Sequence, residues 1–452
     1  MPGEVAIELI STGGGEAGQR RMHLAIVNDD MPFLVDSVAN AIAARGIVIH
    51  RLLHPIVKAR RDDKGNLLAL GEGADESIIY LDLDRADSRT RNRLRDELSA
   101  VLGDVRAAVT DWRAMQAKMR DHAAAADAEG AALMNWFADG AMTLLGYEVE
   151  RPGQEGSDGL GLFRFPGEPT DEGGCEGAIR YFEKGGRVPL MAKGDRKSSI
   201  HRRVPLDLVV VPERSGEKIT GVGVHVGLWT SEALNAAVED VPVLRTILTE
   251  MDKRFGYNPS SHSGKALRHA LSALPRDLIL NLSYDSVERL VHAAMTLADR
   301  PQAMIVLVRS ILKGHLFAFV WLPRDELTTA RRQAIGEMIG KAADGRQTAW
   351  SVDLGDGDLA LLRYTYAVDS ARKSPDEAAL NAELYAMVRG FLPSVEEGLA
   401  LKLGPTQARR LVLTYGDALP DAYKARYPAA DAAEDLMRLE GLSNEADRSI
   451  RL

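Results

Sequence analysis

The sequence predicts an α+β protein of tandem ferredoxin-like units, with antiparallel sheets backed by helices and joined by helical connectors. Three observations carry this prediction. Strand-like runs and helically spaced apolar residues follow one another in the order βαββαβ over residues 22–110. A ββαββ order recurs over residues 301–370, a weak internal repeat. The residues between these units carry Ala-rich and helically periodic stretches.

Residues 1–21 contain a polar, Gly-rich stretch with nothing to bury and read as a flexible tail. Residues 24–27 then suit a strand, Pro32 suits the first helical position, and Leu34, Val35, Val38, Ala39 and Ile42 recur at helical spacing until Gly46. Residues 47–58 read as a second strand, 62–66 as turn chemistry and 77–83 as a third strand. Leu94, Leu98, Val101 and Leu102 share a helical face, and residues 105–110 supply a fourth strand. This completes the first unit. A helical connector follows over 111–143, carrying Trp112, Leu133, Trp136 and Phe137.

A second α+β unit spans 144–300. It begins with a loose, Gly- and Pro-rich excursion over 152–177, interrupted by a short strand at 160–165. Strands are expected at 189–192, 206–211 and 220–228, then helices near 243–255, 263–274 and 283–298. The third unit has strands at 304–308 and 315–322, a helix at 328–343, and strands at 348–354 and 359–368. Residues 371–452 are mainly helical apart from an extended patch at 410–414, and their closing amphipathic run reads as leading into further domains.

Composition narrows the function classes. A chain of 452 residues with 45% hydrophobic and 27% charged side chains can bury several cores. Its formal net charge of −9 disfavours a nucleic-acid surface, which needs a concentrated basic face. Cys175 is the sole cysteine, so an internal disulfide is excluded and the thiol reads as incidental. Neither an apolar run of about 18 residues nor a basic-then-apolar leader is present. The expectation is a cytoplasmic protein that binds neither nucleic acid nor membrane.

Several stretches in order carry a family resemblance. They are residues 22–38, Glu76-Ser-Ile-Ile79, Leu144-Leu-Gly-Tyr147, Ser198-Ser-Ile-His-Arg202 with Asp207, and Val226-Gly-Leu-Trp-Thr-Ser231. Pro242-Val-Leu-Arg245, Ser261-His-Ser-Gly-Lys-Ala-Leu267, Leu274-Pro-Arg-Asp277 and Leu322-Pro-Arg-Asp325 continue the series. Together they resemble the N-terminal, ACT-like region of the large NAD-specific glutamate dehydrogenases. That resemblance implies an intact homo-oligomeric enzyme that oxidises L-glutamate to 2-oxoglutarate and ammonia with NAD. This chain then supplies a regulatory part that precedes the dehydrogenase domain and carries no cofactor of its own.

The candidate effector site is the corner Asp29, Asp30, Met31, Pro32 and Phe33. Free N–H groups at the start of a helix there suit a ligand carboxylate, and the acidic side chains suit an ammonium. Capping of the helix by Asp29 or Asp30 is the plainer reading. The corner departs from the usual ACT form, in which Gly commonly follows the Pro; here Phe33 stands instead. His201, Arg202 and Arg203 form a second candidate, either an interface or an anion site. Ser199, His201 and Asp207 also allow a nucleophile, base and acid to be written, against ordinary salt bridges. Arg276 with Asp277, and Arg324 with Asp325, read as turn chemistry with local ion pairs. His262 and His269 lack metal-ligand spacing.

No catalytic, cofactor-binding or metal residues are assigned. Gly13 to Gly18 formally match G-x-G-x-x-G, but a strand rather than a helix is expected next, so no helix N-terminus would face a pyrophosphate. Three function classes remain: a regulatory and assembly module, in cis with a dehydrogenase or freestanding as an amino-acid sensor; a self-sufficient enzyme using residues 201–207; and an RNA-binding module, disfavoured by charge and by strands without clustered aromatics.

Overall fold

Three antiparallel sheets organise the chain, and the structure, a computed structural model, describes residues 4–11, 21–154, 156–164, 174–312, 314–355, 357–369 and 371–442. The tandem ACT-like α+β plan is present. The Gly-rich match at 13–18 lies outside the described residues.

The first unit comprises β1 (Ala6–Ser11), β2 (Arg21–Asp29), α1 (Leu34–Ala43), β3 (Ile49–Leu53), β4 (Ile56–Arg61), β5 (Leu67–Leu70), β6 (Ala74–Asp84) and α2 (Ser88–Ala123). Its sheet runs β1-β2-β6-β4-β5, with β3 also paired to β6. Met22, Leu24 and Ile26 alternate along β2 and are fully buried against Leu34, Val38 and Ile42 of α1 and Leu94, Leu98 and Leu102 of α2. Each such side chain contributes about 1.5–3 kcal/mol by leaving water.

Three expectations for this unit are corrected and one strand is added. Residues 6–11, read as part of a flexible tail, form the edge strand β1, with Ala6 opposite Val27 and Ser11 opposite Met22. The fourth strand read over 105–110 is instead the middle of α2, a helix of 36 residues. Val105, Val109 and Thr110 are β-branched, yet Val105, Ala108 and Met115 prolong the buried spacing set by Leu94, Leu98 and Val101; Gly103 is tolerated and no proline intervenes. The edge beside β2 is therefore filled from the start of the chain. The strand read over 47–58 splits into β3 and β4 at His54 and Pro55, since Pro has no N–H for the ladder. The turn at 62–66, held by Asp62 accepting from Lys64 N and Asn66 N at 2.9 and 2.8 Å, leads into β5, which the sequence reading omitted.

The second unit contains α3 (Ala128–Trp136), β7 (Met142–Glu150), β8 (Ser157–Gly161), α4 (Gly174–Glu183), β9 (Leu190–Lys197), β10 (Pro205–Ser215) and β11 (Lys218–Trp229), in the sheet order β8-β7-β11-β10-β9. The short strand expected at 160–165 is displaced: β8 ends at Gly161, residues 162–164 form a turn, and residue 165 lies outside the described residues. Leu208, Val210, Val224 and Val226 bury on the side of the first unit, while Leu144, Tyr147, Val209 and Val211 bury on the other. Covered on both faces, its strands read as nearly continuous apolar runs. Cys175 sits in the first turn of α4, and burial together with Glu150 and Glu176 pushes its thiol up to about 11, the state of an unreactive thiol.

A helical layer of α5 (Ser231–Asn235), α6 (Leu244–Phe255), α7 (His262–Ser272), α8 (Arg276–Ile279) and α9 (Tyr284–Asp299) covers the second face. The third sheet, β12 (Met304–Arg309), β13 (His315–Pro323), β14 (Arg346–Asp353) and β15 (Leu359–Ala367), has the order β12-β13-β15-β14, with α10 (Thr329–Ala343) between β13 and β14 in the chain. Phe317 and Phe319 face the helical layer, while Leu316, Ala318 and Val320 face α10 and α11 (Glu377–Val388). The helices α12 (Phe391–Leu403), α13 (Pro405–Tyr415), α14 (Asp421–Arg426) and α15 (Ala429–Glu440) follow, and their core centres on Leu399, Leu411 and Leu436. The extended patch expected at 410–414 is helical, because Ala408 and Leu411 bury at helical spacing. Helix starts are set locally: Asp87, Asp127, Thr230, Ser261, Ser283, Thr328 and Asp376 each accept a backbone N–H two or three residues ahead. No described helix is long and apolar enough to cross a membrane.

A pH dependence follows from one buried contact between α2 and the second sheet. His225 on β11 is fully buried, with Nε2 2.8 Å from His122 Nδ1, and Tyr147, Lys118 and Glu213 lie around the pair. Burial, with His122 and Lys118 nearby, holds His225 well below the ordinary 6.5. The unfolded chain therefore binds a proton that the fold refuses, and stability falls as pH drops below about 6.5 by up to about 1.4 kcal/mol per pH unit. Urea midpoints at pH 8 and pH 5.5 should differ, and His225→Phe should narrow the difference. An unchanged difference would assign the effect to other groups.

Candidate functional site

The β2–α1 corner and the loop at 198–204 meet each other. Phe33 occupies the helix N-cap with φ 71°, the left-handed region that favours glycine, and α1 begins at Leu34 rather than at Pro32. Ser37 Oγ donates to Phe33 O at 2.6 Å and accepts from His201 N at 3.0 Å, while Asn40 Nδ2 donates to His201 O at 2.5 Å. The His201 ring lies 5.6 Å from that of Phe33 and 2.9 Å from Asp36 Oδ2. The corner thus faces a strap from the second unit. Asp29 pairs with Arg106 of α2 at 2.5 Å, and Asp30 N donates to Asp75 O. The N-cap position of α1 is Phe33, which makes no side-chain cap bond, so neither Asp29 nor Asp30 is the N-cap residue.

The consecutive residues His201, Arg202 and Arg203 point to three destinations. His201 reaches the first unit, and Arg203 lies 3.5 Å from Glu97 of α2. Arg202 donates to Trp229 O at 2.5 Å and lines a cavity of about 350 Å3 between the second unit, the helical layer and the third sheet. The nucleophile–base–acid set disperses: Ser199 donates to Asp104, His201 binds Asp36, and Asp207 binds Lys193. That constellation is not assembled.

Lys193 is the charge at the base of the cavity. On β9 it stands directly opposite Asp207 of β10, and its Nζ lies 2.5 Å from Asp207 Oδ1 and 2.6 Å from Asp277 Oδ2 of α8. Burial works against its charge, but the two carboxylates hold its pKa above the ordinary lysine value. Burial pushes Asp207 up to about 6 despite Lys193, whereas for Asp277 the same burial is outweighed by the Lys193 ammonium, which holds it below the usual value. The ion pair expected for Asp277 was local; it is tertiary. Arg276 donates instead to the carbonyls of Ser272, Leu274 and Ala236, and burial lowers its pKa. Arg324 opens a short helical turn, Arg324–Glu326, but its guanidinium is likewise tertiary, donating to the carbonyls of Leu354 and Gly355 just past the end of β14.

Arg363 of β15, Asp353 and Trp350 of β14 complete the cavity wall, and Arg363 Nε donates to Ser351 Oγ at 2.9 Å. The sequence reading missed Lys193, Asp353 and Arg363. A signal for Lys193 was available, because a lysine interrupts the apolar run Leu190-Met-Ala, as Asp207 interrupts Leu206 and Leu208-Val-Val. Among the described residues no group of three or more His, Cys, Asp or Glu is placed to hold a metal.

The chain matches family models described as glutamate dehydrogenase ACT1 domain over residues 3–98, helical motif 1 over 241–300, ACT2 domain over 306–391 and helical motif 2 over 399–442. The NAD-specific glutamate dehydrogenase of Pseudomonas aeruginosa is 27% identical over 466 residues, covering 95% of this chain and 28% of the relative. The protein of the same name from Halomonas elongata is 24% identical, covering 97% of this chain and 29% of its own length. That of Mycobacterium tuberculosis is 23% identical, covering 94% and 28%. The chain spans under a third of the length of each.

Proposed function

This chain belongs to the large bacterial NAD-specific glutamate dehydrogenase family, and we propose that it forms the N-terminal regulatory and assembly region of such an enzyme. In the intact cytoplasmic protein, a downstream dehydrogenase segment binds NAD and converts L-glutamate, NAD and water to 2-oxoglutarate, ammonia and NADH. The 452 residues themselves carry no step of that chemistry. The observation that carries this reading is the Lys193 junction, where a cross-strand pair of the second unit is completed by Asp277 of the helical layer. One unit's position is thereby tied to another's through buried charge. An effector shifts such a joint only by binding two of its arrangements unequally.

The His201 strap packs against Phe33 and bonds to Ser37 beside the Asp29–Phe33 corner, and in our reading that corner serves first as a joint between the first two units. The Lys193 joint is tested in the full-length enzyme. Asp277→Asn is expected to change the glutamate or NAD saturation curve without touching the hydride-transfer site; identical steady-state constants would contradict regulation through this junction.

Homo-oligomeric assembly is supported by apolar exposure in the first unit. Leu53, Ile56, Leu67, Leu68 and Leu70 are each about half exposed or more, and β5 is an edge strand of the sheet. Such an edge invites pairing with a second copy of this chain. The double variant Leu68→Glu, Leu70→Glu should form a smaller species by light scattering. An unchanged mass would rule this edge out.

A further inference from the structure

We propose that the cavity lined by Arg202, Arg276 and Arg363 is a binding site for a small organic dicarboxylate. The three guanidiniums come from three places in the chain: the loop before β10, the start of α8 and the middle of β15. Among the described residues none of the three donates a hydrogen bond to a carboxylate, although Asp353 lies near enough to Arg276, and Asp277 near enough to Arg363, to interact through charge. Their hydrogen bonds go to neutral acceptors, namely the carbonyls of Trp229, Ala236, Ser272 and Leu274 and the hydroxyl of Ser351. Arginine forks match carboxylate geometry, and three guanidiniums whose hydrogen-bonding edges are not taken up by carboxylates, gathered around one space, are the chemistry of an oxyanion site.

Two further donors point the same way. Arg202 Nε and Trp229 Nε1 are buried without an acceptor, and both residues line the cavity. Both atoms are closed to solvent in this arrangement, so a ligand oxygen would reach them only after a small side-chain shift, and would then supply the acceptor that the protein does not. The Lys193 ammonium is occupied by Asp207 and Asp277, which leaves the guanidiniums to meet the ligand, with Asp353 as the one remaining carboxylate of the wall. Guanidiniums on separate walls require acceptors at both ends of the ligand, hence a dicarboxylate rather than a monocarboxylate. The volume of about 350 Å3 lies at the lower end of small-molecule sites, which suits a C4 or C5 compound. By touching the second unit, the helical layer and the third sheet together, the ligand would favour one arrangement of the joint. That consequence rests on the regulatory reading; the binding does not.

The test is calorimetric titration of the 452-residue chain with succinate, acetate and inorganic phosphate at matched ionic strength. Saturable 1:1 binding of succinate is expected, at least tenfold tighter than acetate or phosphate. Arg363→Gln and Arg202→Gln should each weaken it at least tenfold, and Arg363→Lys should weaken it severalfold because the fork is lost. Arg372→Gln, which removes an exposed partner of Asp344 outside the cavity, should leave it unchanged. Circular dichroism of each variant establishes that the fold is kept. Absence of saturable heat, equal binding of phosphate, or affinity indifferent to both glutamine variants would overturn the site. Succinate binding that leaves the full-length enzyme's rate unaltered would retain the site and remove the regulatory reading.

Discussion

Replacing Lys193 by methionine is expected to destabilise the folded chain by about 3 kcal/mol, because it strands the buried Asp207 and the partly buried Asp277 without a cation. Lys193 is 8% exposed and Asp207 4%, and both of the lysine's ion-pair distances are 2.6 Å or less. Methionine keeps most of the volume, so the loss is electrostatic. Urea unfolding followed by tryptophan fluorescence reads it, and the triple variant Lys193→Met, Asp207→Asn, Asp277→Asn should regain most of the stability. The penalty of the single variant should shrink towards acid pH, where protonation removes the stranded charges. A midpoint unchanged by Lys193→Met would mean that the triad is not closed in solution.

The second large effect concerns the docking of the third sheet. Phe319 on β13 is fully buried and faces the helical layer, with its ring 6.4 Å from that of Trp321. Phe319→Ala should cost about 3–5 kcal/mol through lost transfer energy and the cavity left behind. The core that the third sheet shares with α10 lies on its other face, through Leu316, Ala318 and Val320, and should persist. Amide exchange should therefore accelerate along the helical layer before it does under α10. Leu354→Ala, at a half-exposed position, should change stability by no more than about 0.5 kcal/mol. Uniform acceleration of exchange would contradict separate docking.

Most strands and helices were legible where apolar periodicity was clean, as at Met22 to Ile26 or Leu94 to Leu102. Residues 105–110 misled because β-branching favours strands while their spacing continued a helix, and burial of Val105 and Ala108 in the core shared by the first two units decided the outcome. β1 was hidden because its residues are mostly exposed and gain their place only by pairing with β2. The candidate residues at 29–33 and 201–203 were found separately, but no local pattern foretells that Ser37 and Asn40 hold the His201 backbone. Arg363 was invisible for a similar reason, since nothing along β15 distinguishes an arginine beside solvent from one beside a cavity shared by three units.

The central claim is that these residues regulate and assemble while hydride transfer occurs elsewhere in the polypeptide. The direct measurement is absorbance at 340 nm of the purified 452-residue chain with saturating L-glutamate and NAD. No NADH should form, whereas the full-length enzyme should produce it under the same conditions. Glutamate-dependent NADH formation by the 452 residues alone would contradict the account.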